Sequence, residues 1–178
     1  EERVLDLIAS NMTLNLHFHK NEYIHKVCNQ TELLGRSENV SDDELLLSQT
    51  AALMMFSGLS EIYDNFENTS VKITREILPE YGYDEKQIDR ICNLILSTKE
   101  PFMPQNILES ILIDARMEYL GRSDYITQVK LLYLEKKNAY RDLPKEKFLK
   151  QQTDLVSNFN FFTLAAQRLR EITPENQL

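Results

Sequence analysis

The feature that most constrains the fold is the run LLLSQTAALMMFSG at residues 45–58, the chain's longest run of almost uncharged residues. It is shorter than the roughly 18 apolar residues needed to span a bilayer, so it belongs inside a protein core. Ser41-Asp42-Asp43-Glu44 stands directly before it. Ser as N-cap with Glu three residues on is a capping box, in which each side chain satisfies the other residue's backbone N–H. The stretch therefore reads as a fully buried central helix. Its C-terminal end, Met55-Phe56-Ser57-Gly58, is expected to face whatever pocket the fold possesses.

Helical periodicity extends over the rest of the chain. Val4, Leu5, Leu7 and Ile8 share one face, with an exit at Asn11 and an extended lead-in over residues 12–16. Tyr23, Val27, Thr31 and Leu34 recur at helical spacing, and Gly35 reads as a C-terminal stop. Residues 59–68 read as a loop, followed by a helix over 69–78 that Pro79 ends. Asp84 with Gln87 opens another box-like start for Ile88, Ile91, Cys92 and Ile95. Pro101 and Pro104 bracket a loop before the stripe Ile107, Leu108, Ile111, Leu112 and Ala115. Ser123 or Asp124 caps a helix through Tyr140, Pro144 separates it from residues 145–157, and a last helix carries Phe161, Phe162, Ala165 and Leu169. The tail at 172–178 is expected to fray. No stretch alternates with period two for long. The expectation is an all-α single domain over 1–178 with about eight helices.

Composition excludes some partners. With 20 Lys and Arg against 28 Asp and Glu the formal charge is −8, which disfavours a nucleic-acid backbone or an anionic membrane. Glu1-Glu2-Arg3 does not read as a signal peptide. Cys28 and Cys92 are isolated within apolar stripes, the pattern of buried thiols in a reducing cytoplasm and not of a disulfide framework or zinc site.

The order of motifs resembles the bacterial HD-domain metal-dependent phosphohydrolases. The likeness rests on Asn15-Leu16-His17-Phe18-His19, Val27-Cys28-Asn29-Gln30, residues 41–58, Tyr63-Asp64-Asn65-Phe66-Glu67, Arg75-Glu76-Ile77-Leu78-Pro79, Ile91-Cys92-Asn93-Leu94-Ile95, Asp114-Ala115, Tyr119-Leu120-Gly121-Arg122 and Phe161-Phe162-Thr163 with Ala166-Gln167-Arg168-Leu169-Arg170. It implies an HD-domain-like helical bundle converging on a divalent metal, which would polarise a phosphoryl oxygen and acidify bound water.

Each position that the resemblance assigns to this chemistry can be checked. His19 keeps the first histidine of the second helix, but Tyr23 stands at the second, the usual ligand. The eponymous His-Asp pair falls on Phe56-Ser57, a further histidine on Phe66, and the C-terminal motif's histidine on Phe159. The late Asp-Ala-Asp is Asp114-Ala115-Arg116, so one carboxylate has become a cation. Losing one ligand from such a site strands buried carboxylates at a cost of several kcal/mol, whereas exchanging the whole set for aromatics removes the charge and adds packing. The resemblance thus implies a degenerate HD domain without metal, cofactor or catalytic residues. Arg116 or Tyr23 is the expected partner of the leftover Asp114.

Other chemistries find less support. His19 and His25 are six residues apart, about 240° around a regular helix, and cannot share a metal. His17 and His19 could converge on a metal only from an extended lead-in, and are expected to lack a carboxylate nearby; the expectation is a hydrogen-bonded His19 with His17 and His25 partly exposed. Ser57 lacks the Gly-x-Ser-x-Gly elbow, and no phosphate-binding or dinucleotide glycine motif occurs. Lys136-Lys137 and residues 145–150 read as solvated basic faces, and Tyr119, Tyr133, Phe148, Phe159, Phe161 and Phe162 as core or, failing that, a dimer surface. Three functions follow: a cytoplasmic regulatory, ligand-sensing or scaffold module that binds a small ligand or protein; a phosphohydrolase using a rearranged set of His19, Asp64, Glu67 and Asp114 with a divalent metal; or a structural homo-oligomer.

Overall fold

The computed structural model describes residues 2–10 and 16–169, the side chains of 7–10 excepted. Among the described residues there are nine α-helices and no strand: α1 (Glu2–Ser10), α2 (Asn21–Ser37), α3 (Asp42–Met54), α4 (Phe66–Ile77), α5 (Glu85–Ser97), α6 (Ile107–Arg116), α7 (Tyr125–Ala139), α8 (Lys145–Asn158) and α9 (Leu164–Leu169). Short 3-10 turns over Ser57–Ser60, Leu78–Tyr81 and Glu118–Gly121 link successive helices. No described helix is long and apolar enough to cross a membrane.

Both capping boxes form. Ser41 Oγ accepts the Glu44 N–H while the Glu44 carboxylate accepts the Ser41 N–H, and Asp84 and Gln87 repeat the arrangement at the start of α5. Between them α3 packs on α2, α5 and α6, which makes it the axis of the bundle. Ala51, Ala52, Met55, Phe56, Ile91, Ile95, Ile111 and Leu112 are fully buried around it.

The axis is shorter and less enclosed than its composition suggested. The α-helix stops at Met54, and Met55 to Gly58 belong to its cap and the following 3-10 turn. Leu46 is 50% exposed, because one face of α3 meets solvent while Leu45, Leu47, Ser48, Ala51 and Ala52 face inward. Gly35 does not stop α2, which continues to Ser37. Its role is close packing: a Cβ there would sit 2.7 Å from Leu45 Cδ1.

Two further boundaries differ from the sequence expectation. Residues 59–68 are not a plain loop, since α4 already begins at Phe66. Asn65 precedes it in the left-handed region (φ 51°), a conformation asparagine tolerates, and its side chain makes no cap that the sequence could announce. At the other end Phe161 and Phe162 precede α9 and do not lie on it. Phe162 is exposed, in contrast to the buried Tyr119, Phe148, Phe159 and Phe161. The expected lead-in over 12–15, the exit at Asn11 and the frayed tail at 172–178 lie outside the described residues.

Gly58 fixes how α4 meets the end of α3. A Cβ at Gly58 would fall 2.0 Å from the Phe66 carbonyl oxygen and 2.7 Å from the Ser70 nitrogen, so backbone meets backbone there. Ser70 Oγ locks the contact by accepting the Gly58 N–H (2.8 Å) and donating to the Met55 carbonyl (2.7 Å). This contact brings Phe66 beside Phe56, with their ring centroids 6.3 Å apart.

Candidate functional site

The polar centre of the molecule is Glu135 on α7, 2% exposed. Its Oε2 accepts the backbone N–H groups of His17 (2.9 Å), Phe18 (2.8 Å) and His19 (3.0 Å). Its Oε1 lies 2.5 Å from His19 Nδ1 and accepts the Tyr63 hydroxyl at 3.0 Å, so the expectation that His17 and His19 lack a nearby carboxylate does not hold: α7 brings one from a distant part of the chain. Burial alone would raise the carboxyl pKa; the His19 ring and the backbone donors outweigh it and bring the value down to about 2. The segment that leads into α2 is thereby pinned to α7 across most of the chain.

Aromatic rings close around His19. Its ring centroid lies 4.9 Å from that of Phe18, 5.5 Å from both Tyr23 and Phe56, and 5.9 Å from Phe66. Tyr23 donates its hydroxyl to the Arg116 carbonyl at 2.5 Å, and burial holds that phenol well above its usual pKa, so it stays neutral. Ser57 follows Phe56 but is fully buried and donates to the Met54 carbonyl (2.7 Å), a helix-end role. His17 is half-buried and His25 exposed, as expected. Neither Cys28, half-buried, nor Cys92, buried, is in a disulfide.

Arg116 and Asp114 take partners other than each other. Arg116 Nη1 donates to Glu67 Oε1 (3.0 Å), the Thr98 carbonyl (2.7 Å) and Thr98 Oγ1 (3.0 Å), with its guanidinium 5.3 Å over the Phe66 ring. A cation over an aromatic face is attracted by the ring quadrupole. Asp114, fully buried, accepts the N–H groups of Phe162 (2.9 Å) and Thr163 (2.7 Å) and the Thr163 hydroxyl (2.8 Å). The expected pairing of Asp114 with Arg116 or Tyr23 is therefore replaced by anchoring of the segment before α9. Thr163 Oγ1 in turn accepts the Ala166 N–H at 3.1 Å, which caps that helix.

These residues do not fit a divalent metal. Phe56 and Phe66 have no donor atom, Tyr23 is a neutral phenol and Arg116 is a cation, which leaves His19, its Nδ1 on Glu135, as the one imidazole among these positions. Among the described residues no group of three or more His, Cys, Asp and Glu side chains is placed to hold a metal ion. Of the rearranged set, His19, Asp64 and Glu67 line one cavity and Asp114 does not. Asp64 accepts the Tyr140 hydroxyl, Glu67 pairs with Arg116, and His19 with Glu135.

That cavity, about 220 Å³, lies over the aromatic cluster. Buried Phe18, Tyr23, Phe66, Tyr119 and Gln152 line it together with exposed Asp64, Glu100 and Tyr140, so it has a closed floor and an acidic rim. Lys136, which the sequence placed on a solvated face, is half-buried in its wall. Its desolvation lowers the ammonium pKa.

Glu135 and Gln152 were not singled out by sequence. A glutamate before Lys136-Lys137 reads as surface, yet Glu135 follows Val129 and Leu132 at three-residue steps on the buried side of α7, the one local signal of its position. No family model matches the chain, and no curated protein or solved structure matches it significantly.

Proposed function

We propose that this chain is an HD-like domain that has exchanged metal chemistry for packing and acts as a ligand-sensing or regulatory module, without phosphohydrolase activity. The reading rests on the assembly around His19. Three of the positions that the resemblance gives to metal chemistry, Tyr23, Phe56 and Phe66, form a ring cluster about the histidine, whose Nδ1 is taken by Glu135. Such an assembly supplies neither a ligand set nor a polarised water. It leaves a cavity with a closed floor above it, which suits binding.

The test is hydrolysis of phenyl phosphate and nucleoside monophosphates with Mn²⁺, Fe²⁺ or Zn²⁺ added. The expected result is no release of phosphate above the protein-free rate. Metal-dependent turnover that scales with enzyme concentration would contradict the proposal.

A further inference from the structure

Three groups in the 220 Å³ cavity have polar capacity that the protein leaves unused. Gln152 is 6% exposed, and its buried Oε1 has no hydrogen-bond partner among the described residues. A buried acceptor without a partner costs about 1–3 kcal/mol, so a donor from outside gains by reaching it. Lys136 stands in the wall in the field of Glu100 and Glu135, with no direct ion pair or hydrogen bond to its ammonium among the described residues. Arg116 spends Nη1 on Glu67 and Thr98, which leaves Nε and Nη2, the edge that receives a carboxylate in a two-point fork.

The walls and the volume narrow the ligand further. Tyr63, Tyr119, Phe102 and Phe66 supply aromatic surface. A cavity of about 150 Å³ suffices for benzene, and 220 Å³ therefore holds one ring with a small substituent at each end. Asp64 and Glu100 at the rim disfavour a dianion such as a phosphate monoester and tolerate a monoanion better.

We infer that this cavity binds a small aromatic carboxylate bearing its own hydroxyl or amino donor, the carboxylate held by Arg116 and Lys136 and the donor by Gln152 Oε1. The inference rests on the proposed binding role of the site and names the class of molecule it serves. A ring between the two ends explains why an orphaned acceptor and two under-used cations share one aromatic-walled space.

The test uses the full chain in calorimetric and thermal-shift titrations with 3- and 4-hydroxybenzoate and 3- and 4-aminobenzoate, with their methyl esters as uncharged controls and phenyl phosphate as the dianion. At least one free acid is expected to bind saturably, with its ester and phenyl phosphate about tenfold weaker or worse, the loss of one charge-assisted contact. Lys136→Met is expected to weaken the acid about tenfold and leave the ester unchanged. Gln152→Leu, which removes an unpartnered oxygen, is expected to keep or raise Tm while losing the preference for the hydroxyl or amino group over plain benzoate. The inference is overturned if no acid binds, if acid and ester bind alike, or if both variants bind as the parent does. Metal-dependent cleavage of phenyl phosphate would instead overturn the non-hydrolytic reading itself, so the two failures are distinguishable.

Discussion

His19 Nδ1 and Glu135 Oε1 meet at 2.5 Å inside the protein, more than a hundred residues apart in the chain. The pair joins the lead-in of α2 to α7 and fixes the orientation of the imidazole within the aromatic cluster. Removing the carboxylate leaves His19 and three backbone N–H groups without their acceptor. Glu135→Ala is expected to cost about 3–5 kcal/mol, read by urea denaturation.

Acid should act through the same carboxylate. Its folded pKa of about 2 lies below the ordinary value of 4.5, so its contribution is complete above about pH 4.5 and is lost as pH falls toward 2. Glu135→Gln should flatten that part of the stability–pH curve by about 3 kcal/mol relative to the parent chain. The measurement is the denaturation midpoint at a series of pH values.

Arg116 and Glu67 should behave as a coupled pair. Arg116→Met leaves a carboxylate that is 7% exposed without its cation, at an expected cost of about 3–5 kcal/mol. Adding Glu67→Gln should recover most of that loss, and the interaction energy from the double-mutant cycle measures the pairing.

Asp114 is expected to be an anchor for the C-terminal segment. Asp114→Ala removes the acceptor of the Phe162 and Thr163 N–H groups and should speed amide hydrogen exchange across residues 159–169 far more than across α3. Equal acceleration throughout would indicate global destabilisation and no local anchoring.

The two packed glycines should separate cleanly. Gly58→Ala places a methyl group against backbone atoms of α4 that cannot yield, and is expected to cost several kcal/mol or prevent folding. Gly35→Ala meets only side-chain ends at Leu45 and Val40 and should cost about 1 kcal/mol or less. Thermal midpoints of the two variants give the comparison.

Local signals carried most of the helix frame. Ser41 with Glu44 and Asp84 with Gln87 announce α3 and α5 because a capping box is written within four residues. The start of α4 was illegible, since it depends on the left-handed Asn65 and on the close approach of Gly58, neither of which has a side-chain signature. That Phe56 and Phe66 carry no donor atom was visible in the residues themselves. The partners of the polar side chains were not: Glu135, Thr98 and Thr163 reach the site from other segments, and Asp114 accepts backbone N–H groups that no sequence pattern marks. Lys136 was misread for the same reason, as an exposed charge in a basic pair that in fact flanks a cavity.

The proposed function requires that the assembly around His19 hold no metal. Elemental analysis of the intact chain, expressed in medium supplemented with Mn, Fe and Zn and purified without chelators, tests it most directly. The expected result is only trace metal, unchanged by Phe56→Leu or Glu135→Gln. One equivalent of Mn, Fe or Zn per chain, lost on substitution of His19 or Asp64, would contradict it.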